Sequence, residues 1–290
     1  MNRIACITIC VLVLFSSCAQ KKDYVVTIKT DMGDMVAILY DETPKHKENF
    51  IKLAEDHFYD SLIFHRVIDG FMIQGGDPDS KKSQPGQRLG NGGPGYTVEA
   101  EFNPKLFHEK GALSAARLGD QMNPTKASSG SQFYIVQGTV IPMDAIDQIT
   151  VDQIKLNKGL QQCLQREENK ALYDSLTALY YAGDMQAYQQ KLFSLIPKIE
   201  RETGIKVRKE IPQERIDAYT TVGGAPHLDD EYTVFGKVIK GLDVIDKIAK
   251  VERDGADRPI KNVYFTVTVE EMSKKKITKE YGYEYPADPK

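Results

Sequence analysis

The stretch FHRVIDGFMIQGGD, residues 64–77, decides the fold. An apolar run holds one arginine, Arg66, and Asp69-Gly70 then marks a turn. A second apolar run holds one polar residue, Gln74, before Gly75-Gly76 breaks it. Two β-branched and aromatic runs about Asp-Gly predict paired strands. Period-2 alternation along the second run puts Met72 and Gln74 on one face, Phe71 and Ile73 on the other. An arginine on an apolar strand is costly to bury alone. Arg66 therefore either pairs inside a barrel wall or faces a cleft where a ligand meets it.

Outward from that stretch, the chain reads as short strands. Residues 24–30 and 35–40 alternate around the turn Asp31-Met32-Gly33-Asp34. Thr43-Pro44 starts a helix, with Thr43 as N-cap, Pro44 at N1 and Phe50, Leu53, Ala54 and His57 or Phe58 at helical spacing as its buried face. Residues 78–95 form a Gly/Pro/Ser/Lys-rich loop with no strand-loop-helix context for phosphate. Strands are predicted at 96–102, 111–116, 132–136 and 260–270, a polar loop at 117–131 and a short helix at 242–249.

Residues 64–77 are similar to the characteristic stretch of the cyclophilin family of peptidyl-prolyl cis-trans isomerases. So are GALSAAR at 111–117, GSQFYIV at 130–136 and HLDDEYTVFGKVIKG at 227–241. The resemblance implies a mainly β fold, a closed eight-stranded antiparallel barrel capped by two helices, over 24–139 and 220–271. It implies Arg66 and Gln74 as the catalytic pair. Phe71, Met72, Tyr134 and Leu228 would hold the proline ring, and Ala116 and Gln132 would line the neighbouring groove. His227 stands where many members have a tryptophan of the cyclosporin-binding surface. Tyr232 stands where many have a pocket histidine, and Tyr134 where many have phenylalanine. The implied partner is a proline-containing polypeptide, and no cofactor is required.

Residues 140–219 depart from the family pattern, where members usually have a short bridge. They carry helical stripes: Leu156, Leu160, Cys163 and Leu164; then Leu172, Leu176, Leu179 and Tyr180; then Met185, Tyr188, Leu192, Leu195 and Ile199. Pro197 ends or kinks the third run, and Pro212 opens a helix over 213–219. This insertion forms its own core and docks on the barrel, or offers a client- or partner-binding surface. Residues 272–290, Lys-rich and then Tyr/Pro-rich, are expected to be a loose tail.

The amino terminus reads differently again. Arg3 precedes an apolar run over 4–15, then Ser16-Ser17-Cys18. That run is too short to span a bilayer and fits a signal peptide over 1–17. The small residues before Cys18 resemble the lipobox of bacterial lipoproteins, so Cys18 is the expected acylation site and 18–23 a linker. Ala19, rather than aspartate, follows Cys18, which points to the outer membrane of the cell envelope. Cleavage removes Arg3 and takes the formal charge from −3 to −4. A net negative chain argues against nucleic acid. The five histidines lack HExxH or paired spacing, so no metal site is expected. His65, in an apolar strand, is expected to be a hydrogen-bonded core residue.

Overall fold

A computed structural model describes residues 21–84 and 86–286; Cys18 and the expected signal peptide lie outside them. The strands are β1 (Lys22–Thr30), β2 (Gly33–Leu39), β3 (Leu62–Ile63), β4 (Arg66–Ile68), β5 (Met72–Gly75), β6 (Thr97–Val98), β7 (Ala112–Ala115), β8 (Ser128–Ser129), β9 (Phe133–Val136), β10 (Val234–Lys240) and β11 (Tyr264–Ser273). All but β6 and β8 join one antiparallel sheet in the order β3-β11-β1-β2-β10-β7-β9-β5-β4. β6 and β8 pair separately.

The expected closed eight-stranded barrel is corrected here. Nine strands form a curled antiparallel sheet, and no ladder among the described residues joins its terminal strands β3 and β4. Two residues connect those ends. Phe64 N donates to Val263 O at 3.0 Å, beside β11, and His65 N donates to Gln74 O at 3.0 Å, on β5. Chain continuity, not pairing, brings the ends of the sheet together.

The inner face packs Ile73, Leu113, Phe133, Ile135, Phe235 and Phe265 against α1 (Pro44–Glu55) and α8 (Leu242–Ala249). These are the two expected capping helices. Thr43 does not cap α1 with its side chain. The Glu101 carboxylate does so, accepting from Lys45 N at 3.1 Å and His46 N at 3.0 Å. It satisfies two of the N-terminal donors that a helix leaves free.

The insertion is helical as expected: α2 (Asp147–Thr150), α3 (Gln153–Leu164), α4 (Lys170–Tyr181), α5 (Met185–Ser194), α6 (Ile196–Thr203) and α7 (Gln213–Thr221). Pro197 sits in the first turn of α6, so the third predicted run splits before it. Val151, Leu156, Cys163, Leu192, Ile196, Ile199 and Val207 form one buried cluster drawn from the insertion alone. Its neck is a short antiparallel bridge: Lys209 N donates to Thr150 O at 2.7 Å and Asp152 N to Val207 O at 3.0 Å.

Over its described residues, 272–286, the C-terminal segment is not the expected loose tail. Ser273 caps α9 (Lys274–Tyr281) through Lys276 N. Ile277 is buried with Val25, Val36, Ile38 and Met272, and Tyr281, Tyr283 and Tyr285 pack against that cluster. Sequence composition suggested a tail because the lysines dominate, while one isoleucine and three tyrosines do the docking.

Candidate active site

The opening hairpin aligns its polar residues by register. Arg66 pairs with Gln74 across β4 and β5, and Gln74 pairs with Tyr134 across β5 and β9. Opposed residues on neighbouring strands share a face. That face is the outer one, where Met72, Tyr134, Leu228 and Val234 are buried together with Phe71 and Tyr232 against them. Phe71 precedes β5 in the turn, so strand alternation does not bind it and it joins Met72. The turn needs Gly70, at φ 78°, whose N–H donates to Gln137 Oε1 at 2.7 Å.

A cleft of about 200 Å³ opens on this face. Phe71, Met72, Tyr134, Leu228 and Tyr232 make its apolar wall, with Arg66, Gln74, Ala116 and Arg117 around it. Of the residues singled out in the sequence, Gln132 and His227 stand outside this wall. Gln132 is one step behind: Gln74 Nε2 donates to its Oε1 at 3.2 Å. Its own Nε2 donates to Gly90 O at 2.9 Å and Gly92 O at 2.8 Å. His227 packs its ring on Phe71 at 5.2 Å.

Arg66 Nη1 donates to Gln74 Oε1 at 3.3 Å. The amides of Gln74 and Gln132 thus form a relay that fixes the half-buried guanidinium to the glycine loop. Asp77, the last residue of the opening stretch, holds that loop from the other side. It accepts from Gly90 N at 2.5 Å and Gly92 N at 3.3 Å. A Cβ on Gly92 would lie 2.1 Å from Asp77 Oδ1, so the loop closes only on glycine there.

His65 is buried beside Arg66, but it is not hydrogen-bonded as expected: neither ring nitrogen finds a protein partner. Burial pushes its pKa down to about 4, against a pull upward from Asp77 and with a further push down from Arg66 and Arg258. The ring is neutral at pH 7 and adds no like charge beside Arg66. Burial lowers His227 as well and holds the Tyr134 hydroxyl well above the usual phenol range.

Sequence reasoning missed Arg117. It closes GALSAAR just as Arg66 opens its strand, and the same rule of a lone arginine after an apolar run would have found it. Its guanidinium lies 4.4 Å over the Tyr232 ring and is held by Glu231 O at 2.8 Å and Asp120 Oδ1 at 2.6 Å. Also unforeseen is a line from Ser128 Oγ to His46 Nε2 (2.8 Å) and from His46 Nδ1 to Glu101 Oε2 (2.7 Å). It resembles a hydrolase triad but is structural. Ser128 is buried, and the space beside His46 is about 10 Å³, room for one water and no acyl group.

The family model for cyclophilin type peptidyl-prolyl cis-trans isomerase/CLD matches residues 25–151 and 209–269. The gap between the two matched segments begins and ends at the neck of the helical insertion. A Staphylococcus aureus protein described as a peptidyl-prolyl cis-trans isomerase is 30% identical over 257 residues, 87% of this chain and 94% of that one. A Streptococcus pyogenes protein described as a bifunctional phosphatase/peptidyl-prolyl cis-trans isomerase is 34% identical over 241 residues, 82% of this chain but only 37% of that protein. A solved cyclophilin type isomerase from Cryptosporidium parvum, crystallised with the dipeptide Ala-Pro, is 21% identical at a TM-score of 0.49. It covers 85% of this chain and 98% of that one. With the family model spanning well over half the chain and the S. aureus relative aligned along nearly its whole length, this chain belongs to the cyclophilin-type peptidyl-prolyl cis-trans isomerase family.

Proposed function

We propose that this isomerase turns X-Pro bonds in exported polypeptides, with Arg66 stabilising the twisted amide over the apolar cleft. Amide resonance sets a rotation barrier of about 18–20 kcal/mol. Lowering it needs no nucleophile; it needs a site that fits the twisted amide better than either planar form. In the twisted state the prolyl nitrogen gains a lone pair, and a fixed donor beside it is favourable in a partly dry cleft. Arg66 stays charged and presents a planar fork of donors. Phe71, Met72, Tyr134 and Leu228 would clamp the ring while the amino-side segment turns past Ala116.

One observation carries this reading: the Gln74-held guanidinium stands at the edge of an apolar-walled cleft of about 200 Å³, which has room for a proline ring. Arg66→Ala is expected to lower kcat/KM for an Ala-Pro peptide by roughly 100-fold, the cost of losing one preorganised donor. An unchanged rate would end the proposal.

Export and anchoring rest on the sequence around Cys18. Acylation there would tether the chain to the envelope, facing the periplasm, with the outer membrane favoured by Ala19. Metabolic labelling with a radioactive fatty acid should mark the wild type and leave Cys18→Ala unlabelled; an unlabelled wild type would exclude the lipid anchor.

A second reading concerns the insertion. Tyr173, Tyr180 and Tyr181 are exposed around a groove that Leu164, Leu176 and Tyr188 complete. Such a surface suits a client chain, with the cleft supplying recognition and turnover incidental. Removing 152–208 should then abolish suppression of client aggregation while peptide turnover persists. Suppression that survives the deletion excludes this reading.

A further inference from the structure

Behind the cleft runs a buried polar chain whose residues the sequence reading had not joined. Tyr134, the pocket floor, lies 2.9 Å through its hydroxyl from His108 Nε2. His108 is fully buried, and its Nδ1 lies 2.9 Å from Asp229 Oδ1. Asp229 Oδ1 also accepts from His108 N at 2.9 Å. Asp229 Oδ2 accepts from the Tyr219 hydroxyl at 2.6 Å and from Arg215 Nη1 at 3.3 Å. Arg215 and Tyr219 belong to α7, the return leg from the insertion, and Asp229 is the residue after Leu228 of the cleft wall.

Proton bookkeeping gives this chain a direction. A carboxylate only accepts, so His108 Nδ1 must carry the proton toward Asp229. Burial lowers the pKa of His108 although Asp229 pulls it up. The neutral ring then has a lone pair at Nε2, and the Tyr134 hydroxyl donates to it. Burial would raise Asp229, but hydrogen bonds from His108 and Tyr219 prevail and keep it ionised. Ser114, opposite Tyr134 across β7 and β9, lies near enough to act on the Tyr134 hydroxyl, but its Oγ makes no hydrogen bond of sound geometry, whereas His108 Nε2 does at 2.9 Å.

We propose that His108 is a positioning residue of the cleft: its ring fixes the orientation of Tyr134, and Asp229, Tyr219 and Arg215 fix His108. α7, at the foot of the insertion, thereby sets the pocket floor. A buried phenol that loses its acceptor must turn to find another, and turning Tyr134 moves the wall on which the proline ring rests. The inference rests on the reading of the cleft as the prolyl site.

A double-mutant cycle tests it, read in both kcat/KM and peptide Kd for wild type, His108→Leu, Tyr134→Phe and the double variant. His108→Leu is expected to lower kcat/KM about tenfold when Tyr134 is present, by stranding its hydroxyl. The same change in the Tyr134→Phe background should cost less than about twofold, because no hydroxyl remains to be stranded. Equal losses in both backgrounds overturn the proposal, since a merely structural histidine would not sense that oxygen. If His108→Leu fails to fold, Tyr219→Phe, which loosens Asp229 from α7, carries the same cycle with the same criterion. If wild type binds the peptide without turning it over, the isomerase mechanism falls, and the cycle in Kd still decides the role of His108.

Discussion

At the scale of single residues, the cleft sets two guanidiniums, Arg66 and Arg117, among neutral groups. Arg66 is held by an amide oxygen rather than a carboxylate, so on the proposed mechanism its charge is available to the developing lone pair instead of being spent on that partner. His65 keeps that arrangement only while it is neutral, which gives stability a pH dependence of known sign. An unfolded histidine protonates near pH 6.5, whereas the folded ring protonates only near about 4. The folded state therefore binds fewer protons between these values. The stability due to His65 is complete above about pH 6.5 and is lost as pH falls toward 4, at about 1 kcal/mol per pH unit. Buried His46 and His108 are shifted the same way and steepen the fall. Urea unfolding from pH 7 to pH 4 measures it, and His65→Gln should flatten the slope. A wild-type profile without slope in this window would contradict the burial of these rings.

At the scale of elements, the opening stretch works because its ends fit tightly. Gly76 has φ 91°, and a Cβ there would lie 2.2 Å from Ser131 O. That contact seats the approach to β9, whose Tyr134 forms the pocket floor. Gly76→Ala adds both left-handed strain and a backbone clash, so a loss of about 2–4 kcal/mol is expected. Thermal unfolding of the variant checks this, and an unchanged midpoint would show that β9 can move aside freely. Elements were legible where local rules fix them: the β4–β5 hairpin, α1, α8 and the insertion helices all stand close to their predicted places. The carboxylate cap on α1 was not legible, because Glu101 reaches it from 56 residues away from Lys45.

At the scale of the whole molecule, the helical insertion hangs from a neck whose two legs are hydrogen-bonded to one another. Its buried cluster uses none of the sheet's core residues. Joining residue 151 to residue 209 by a short Gly-rich turn should leave the sheet's melting temperature within a few degrees and peptide turnover within about threefold. A collapse of folding on that deletion would show that the insertion supports the sheet. α7 remains in the shortened chain, so the polar chain to Tyr134 should persist.

The sequence by itself determined the family, the hairpin carrying Arg66 and Gln74, the apolar residues of the cleft and the helical nature of the insertion. The hairpin and the helical insertion follow from spacing and residue type within short windows, whereas the family and the cleft residues follow from the resemblance of four stretches to the cyclophilin pattern. Tertiary structure decided the rest. It left the terminal strands of the nine-stranded sheet without a ladder between them among the described residues, placed Gln132 behind the cleft wall and His227 exposed against Phe71, and docked α9 through Ile277. It also brought Tyr134, His108, Asp229 and Tyr219 into one line. Those residues lie on separate segments, and a buried hydroxyl or imidazole announces its partner only by distance and burial. Periodicity records which face a side chain takes; it does not record what that face meets.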